Sequence, residues 1–349
     1  MSDSESKIES ENAAVAIENG APEAEPTFPA AAAADSPAER HARLVKMLRK
    51  GLQRFVNDVA RVLTAEDQDA IHDLRVCSRR LQQMLVAMHG ETLPRRARAM
   101  RRVLRRTRRA IGQWRNYDVV IETIHRRIAR ARNEERRHAW AIVLKSVSEA
   151  RRREIRRARK RLMKPAVFGI RETGEALIDT ASPSHDMLDA PFWTAVAQAY
   201  DRWRESHSAA LRSKQTEDIH AFRIRTKRLR YRIELARELG IEGTKPLLEW
   251  FKKLQDGLGR WRDRIELGRM IASSIADPDR LLKESRASIV LLTELERLRR
   301  TAEREVDVLL QGIGRSAGFL RCEEWIAAHA RPAAESEANS PPALAQIAQ

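Results

Sequence analysis

Cysteine is almost missing from this sequence: Cys77 and Cys322 are the two it has. Two thiols supply neither a zinc site nor a disulfide framework. Aromatic residues are scarce at 5%. Glycine and proline are sparse between residues 41 and 331, which removes the turn punctuation that many short strands need. No stretch of alternating β-branched residues supports a strand. No apolar run reaches the ~18 residues of a membrane-spanning helix. The first residues lack the basic-then-apolar pattern of a secretory signal, so the cytoplasm is the expected compartment. No motif calls for a cofactor or a metal.

Arginine, alanine, leucine and glutamate fill the space left, a composition that favours long helices. Acids are outnumbered by bases, 49 against 66, for a net charge of +17. Residues 1–40 hold nine acids and two bases, a net −7 that leaves about +24 on the remainder. So large a charge opposes compaction by self-repulsion, and a polyanion would relieve it. Nucleic acid, an acidic membrane surface and inorganic polyphosphate are the candidates.

The composition divides the chain into a disordered acidic tail over 1–37, a folded part over 38–331 and a second disordered tail over 332–349. Ser36-Pro37 reads as a cap and first turn. Further helices are expected at about 67–89, ending at Gly90, and from Pro94 to Gly112 or Trp114. A hairpin over 117–163 follows. After an interruption at 182–191 come helices at about 191–213, 217–239, 245–259, 263–275, 279–311 and 317–330. Asp277-Pro278 separates two of them.

One motif occurs twice. Residues 71–81 read IHDLRVCSRRL and residues 219–229 read IHAFRIRTKRL, an offset of 148. His72 aligns with His220, Arg75 with Arg223 and Arg79 with Lys227. The next helix repeats at an offset of 147: Met100 matches Leu247, Leu104 matches Phe251, and Gly112-x-Trp114-Arg115 matches Gly259-x-Trp261-Arg262. Two elements repeated in order point to an all-α, internally duplicated fold. It is expected as a pair of helical bundles, about 38–180 and 190–331, around a pseudo-twofold axis. Trp114 and Trp261 continue apolar seams and read as core. Asn116, Asp118 and Asp263 read as caps of following helices.

At about 100° per residue, His72, Arg75 and Arg79 share a face opposite Leu74, Cys77, Leu81 and Leu85. His220, Arg223, Lys227, Arg230 and Tyr231 do the same opposite Phe222, Leu229 and Ile233. A basic stripe at a helix start suits an anion, because arginine offers forked, permanently charged donors and the helix end adds a positive field. For either copy alone, a solvated face with a capping histidine is the plainer reading; the duplication favours a ligand face. Nine arginines lie between Arg95 and Arg109 with no acid among them.

These residues resemble the CHAD domain, the conserved-histidine α-helical domain. The match is His-x-x-Arg-Val-x-x-Arg-Arg-Leu, then His-x-x-Arg-Ile-x-x-Lys-Arg-Leu-Arg-Tyr, with Leu258-Gly259-x-x-Arg262-Asp263 and Ile111-Gly112-x-x-Arg115-Asn116. The resemblance implies two pseudo-symmetric four-helix bundles around a basic groove or pore, binding inorganic polyphosphate and associated with polyphosphate granules. Carried over by position, the ligand residues are His72, Arg75, Arg79, His220, Arg223, Lys227 and Arg230. Arg105, Arg106, Lys252 and Lys253 are secondary contacts. Cys77, Ser78 and Gln82 stand where the second copy has Arg225, Thr226 and Arg230, so the first half is expected to hold phosphate less tightly along its second turn. The alternating Glu-x-Glu-x-Lys signature of the triphosphate-cleaving barrel found in many relatives does not occur here. The expectation is binding without catalysis. The alternatives are a nucleic-acid-binding protein and, further off, a histidine phosphotransferase or phosphatase.

Overall fold

The computed structural model describes residues 36–65, 68–180, 189–276 and 283–330. Residues 1–35 and 332–349 of the expected tails, the 182–188 stretch and the Asp277-Pro278 break lie outside the described residues, whereas Pro37, counted with the tail, and residues 189–191, counted with the interruption, are helical. Every described element is helical: α1 Pro37–Thr64, α2 Gln68–His89, α3 Arg95–Ala110, α4 Gly112–Ala129, α5 Glu134–Leu162, α6 Pro165–Phe168, α7 Ile170–Thr180, α8 Asp189–Ser213, α9 Thr216–Glu238, α10 Thr244–Ile275, α11 Ser285–Ile313 and α12 Ala317–Ala330.

Local chemistry sets several boundaries. Ser36 caps α1: its hydroxyl accepts from the Glu39 amide at 3.3 Å, and Glu39 accepts from the Ser36 amide at 2.7 Å. This reciprocal box satisfies two of the donors that a helix start leaves free. Gly90, at φ 67°, turns the chain after α2, a conformation that costs other residues strain. Asn133 caps α5 by accepting from the Arg136 amide at 2.9 Å.

Two hydrophobic cores hold the helices together. The larger is fed by Leu44, Leu48, Leu52, Phe55, Val59 and Val62 of α1, at three- and four-residue spacing, and by the apolar faces of α2, α3, α8, α9 and α10. Each such side chain contributes ~1.5–3 kcal/mol on full burial. The smaller core joins Val120 and Ile124 of α4 and Trp140, Val143 and Val147 of α5 to Leu267, Met270 and Ile271 of α10 and Leu291 of α11. Both cores therefore draw on both halves of the sequence.

Five of the scarce aromatics gather around Trp203. Trp203 lies 5.6–6.0 Å, ring centre to centre, from Tyr200, Phe222, Trp250, Phe251 and Phe319, a spacing typical of edge and tilted pairs. Trp114 and Trp261 are buried, as their seams required.

Three expectations need correction. Residues 245–259 and 263–275 are one helix, α10, so Asp263 caps nothing. Asn116 and Asp118 lie inside α4, whose cap position is Ile111. Asp118 is buried and forms an ion pair with Arg151 at 2.6 Å. The third helix stops at Ala110, and a turn at Ile111 starts α4. The same Gly-x-Trp-Arg element thus begins a new helix in one half and lies within a continuous helix in the other.

A basic cluster built from both halves

His72 is the fifth residue of α2 and His220 the fifth of α9. Both are exposed. Asp73, the acid next to His72, turns to α1, where it pairs with Arg54 at 3.3 Å and Arg61 at 3.4 Å. Leu74 and Phe222, the residues just before Arg75 and Arg223, are fully buried, so the basic stripes lie off the core as the spacing required.

The two stripes meet at one place. Helices α2 and α9 pack together, and their charges converge. Arg79 of α2 donates to the Tyr231 hydroxyl of α9 at 3.4 Å, with its guanidinium 5.9 Å from the ring centre. Arg75 feels Arg79, Arg262, Arg223 and Arg108. Lys227 feels Arg223, Arg79, Arg75 and Arg262. Arg262 and Arg115 join from the repeated Gly-x-Trp-Arg element; the repeat marked them, but the basic stripes on α2 and α9 did not.

Burial and mutual repulsion shape the titration of this cluster. Burial first, then the four guanidiniums around it, push the Lys227 ammonium down to about 6. The free protein therefore holds it largely as the amine at neutral pH. Partial loss of hydration, then Arg223 and Arg262, lower the His220 imidazole, and Glu266 partly opposes them. Burial also leads the lowering of Arg75, Arg108 and Arg223; guanidiniums remain cationic at neutral pH regardless. An anion drawn into this place meets charges already dehydrated, which interact more strongly than charges in water.

Some donors are committed and others are not. Arg75 Nη1 donates to the Gly112 carbonyl at 3.1 Å, tying α2 to the start of α4. Arg223 Nε and Arg115 Nη1 are buried and make no hydrogen bond. Buried donors without partners are rare and ask for an explanation; phosphate oxygens are acceptors of the right kind. Asp263 stands at the rim, 3.9 Å from Arg262.

Arg230 is the most compensated member of the expected set. Its Nη2 lies 2.8 Å from Glu234 Oε1, and its Nη1 donates to Gln255 Oε1 at 2.7 Å. In the first half, Arg108 Nη1 of α3 donates to Gln82 Oε1 of α2, also at 2.7 Å. Gln82 therefore does not leave its half short of charge, because the neighbouring helix supplies a guanidinium there. Ser78 and Thr226 are both fully buried and donate back to the carbonyls of Leu74 and Phe222. That difference between the copies lies in the core and not on the basic face.

The expected secondary contacts split into two pairs. Arg105 is close enough to Arg108 to affect its titration, and Lys252 holds the matching position on α10. Arg106 and Lys253 are exposed and project about 200° round their helices from Arg108 and Gln255, so the structure does not bring them to the cluster. Among the described residues, no group of three or more His, Cys, Asp and Glu is placed to hold a metal ion. No described helix is long and apolar enough to cross a membrane.

The fold recurs in solved structures. The CHAD domain of the plant Ricinus communis superposes with a TM-score of 0.56 at 21% identity, covering 79% of this chain and 94% of that one. PptA from Streptomyces chartreusis gives 0.61 at 17% identity, covering 78% and 98%. No curated protein sequence matches. The CHAD domain sequence profile matches residues 46–272, well over half the length, and the chain belongs to the CHAD domain family.

Proposed function

We propose that this protein binds inorganic polyphosphate through the cluster at the α2–α9 interface and does not cleave it. The observation that carries the reading is the convergence of Arg75, Arg79, Arg223, Lys227 and Arg262 from both halves, with rim acids too few to balance them. A linear polymer with one charge on each internal phosphate suits such a place, since it offers many equivalent oxygens and no base to be read. Family membership supports the same ligand. Catalysis has less support: the acid beside His72 is committed to α1, and Glu266, near His220, has Val119 as its counterpart in the first half.

The reading takes the two halves as copies of one unit about a pseudo-twofold axis. The Arg108–Gln82 and Arg230–Gln255 contacts support that equivalence. Association with polyphosphate granules in the cytoplasm would follow from polymer binding. A second reading, nucleic-acid binding, is favoured by α3, whose Arg95, Arg98, Arg102, Arg105, Arg106 and Arg109 are all exposed. Against it, all seven tryptophans are buried or half-buried, so none offers a platform on which bases stack.

The test is binding of polyphosphate of defined lengths across a range of salt. Affinity should fall steeply and linearly with the logarithm of salt concentration, as counterion release requires, and rise with chain length. Salt-independent binding, or equal affinity for orthophosphate and long chains, would contradict the proposal. Preference for RNA or DNA in direct competition would favour the second reading.

A further inference from the structure

We propose that Arg108 takes, in the first half, the anion-binding place that the sequence repeat gives to Arg230, and that it is the stronger contact of the two. The inference rests on the reading that this cluster binds polyphosphate.

The repeat sets Gln82 of α2 in register with Arg230 of α9, and Arg108 of α3 in register with Gln255 of α10. In each half the guanidinium donates to the amide oxygen at 2.7 Å. The same contact therefore forms between α2 and α3 as between α9 and α10, with the two residues exchanged. A charge missing from one helix is returned by its neighbour to an equivalent position.

Their surroundings are not equivalent. Glu234 holds Arg230 at 2.8 Å, and any phosphate must compete with that carboxylate. The residue in register with Glu234 is Val86, which is buried and apolar. Among the described residues no carboxylate forms an ion pair with Arg108. Arg79, Arg228 and Arg105 surround it instead, and with burial they lower its basicity. Arg79 also acts on Arg223 and Lys227 of the second half, so Arg108 adjoins the cluster itself. An uncompensated, half-buried guanidinium gains more from a phosphate oxygen than one already paired.

The experiment measures the affinity of the full-length protein for long-chain inorganic polyphosphate at one low salt concentration. Wild type is compared with Arg108→Gln, Arg230→Gln and the exchange variant Gln82→Arg/Arg108→Gln. Arg108→Gln should weaken binding ~10- to 100-fold, the range expected for a lost charged hydrogen bond. Arg230→Gln should weaken it less. The exchange variant, which gives the first half the arrangement of the second, should recover most of the loss. Circular dichroism and thermal unfolding confirm that each variant folds; should Arg108→Gln not fold, the exchange variant's affinity decides alone, near wild type supporting the proposal. Arg108→Gln binding like wild type would overturn it. So would a larger loss in Arg230→Gln, or an exchange variant no better than Arg108→Gln. Wild-type protein that fails to bind overturns the polyphosphate reading as well, whereas a silent Arg108→Gln in a binding protein overturns this inference alone.

Discussion

Replacing Lys227 with methionine removes the titratable amine at the centre of the cluster, and its consequences depend on pH in a calculable direction. In the native protein, burial and the guanidiniums of Arg223, Arg79, Arg75 and Arg262 push the ammonium down to about 6. Unfolding returns it to the ordinary lysine value of ~10.4. Between those values the unfolded chain binds more protons than the native one, so wild-type stability rises with pH across that window. The cost is fully present below about pH 6, where both states carry the proton, and vanishes above about pH 10, where neither does. Methionine has no such dependence. The variant should therefore gain most over wild type at acid pH and least at alkaline pH. At ~1.4 kcal/mol for each pH unit of the window, the ceiling is ~6 kcal/mol. Rearrangement of mobile side chains and water around the half-buried ammonium brings the expected difference between pH 5.5 and 9.5 to about 2–4 kcal/mol. Urea unfolding of both proteins at several pH values measures it. Polyphosphate should also return the proton to Lys227, so binding at pH 7 takes up about 0.9 proton at this residue. His220 is lowered as well, so the difference between wild type and variant isolates the lysine. Calorimetry in buffers of different ionisation enthalpy reads that uptake. Parallel stability curves for the two proteins, or equal proton uptake on binding, would refute the reasoning.

Arg232 joins the halves: it is buried, lies 2.6 Å from Glu91 and donates to Gln83 at 3.2 Å. Arg232→Met removes the closer of the two guanidiniums that pair with Glu91, leaving Arg202 at 3.7 Å, and should cost ~1–3 kcal/mol, lowering Tm by ~3–8 °C in a thermal scan. Two glycines should respond in opposite ways. A Cβ at Gly318 would collide with the Trp250 indole, so Gly318→Ala should destabilise by ~1–3 kcal/mol and disturb the near-ultraviolet signal of the tryptophans. At Gly259, within α10, a Cβ meets nothing within 4 Å, so Gly259→Ala should stabilise by up to ~1 kcal/mol. Deleting the acidic residues 1–36 should tighten polyphosphate binding at low salt if that segment competes for the cluster; unchanged affinity would remove it from the account.

Much of this fold was legible because helices announce themselves locally. The Ser36-Pro37 start, the stop at Gly90 and the apolar stripe of Leu74, Cys77, Leu81 and Leu85 each rest on neighbours within a few residues. The separation of basic and core faces on α2 and α9 was legible for the same reason. What failed to read was tertiary. Ile111-Gly112 and Leu258-Gly259 look alike, yet the chain turns at the first and runs straight through the second. Glycine permits both outcomes at a cost of ~1 kcal/mol, so packing decides. Arg108 was hidden among nine arginines whose spacing alone could not say which one meets α2. Gln82 looked like a loss because its compensation lies on another helix, 26 residues away. The meeting of both stripes at one place depends on how α2 packs on α9, which no local pattern encodes.

The most direct test asks whether the two copies of the motif make one site. Polyphosphate titration should give the number of chains bound and the affinity for wild type, for His72→Ala/Arg75→Ala/Arg79→Ala and for His220→Ala/Arg223→Ala/Lys227→Ala. The account predicts one binding event in wild type and a loss of at least ~100-fold in either triple variant, because each removes half of one cluster. Two independent sites in wild type, with each triple variant keeping one of them at full affinity, would contradict it.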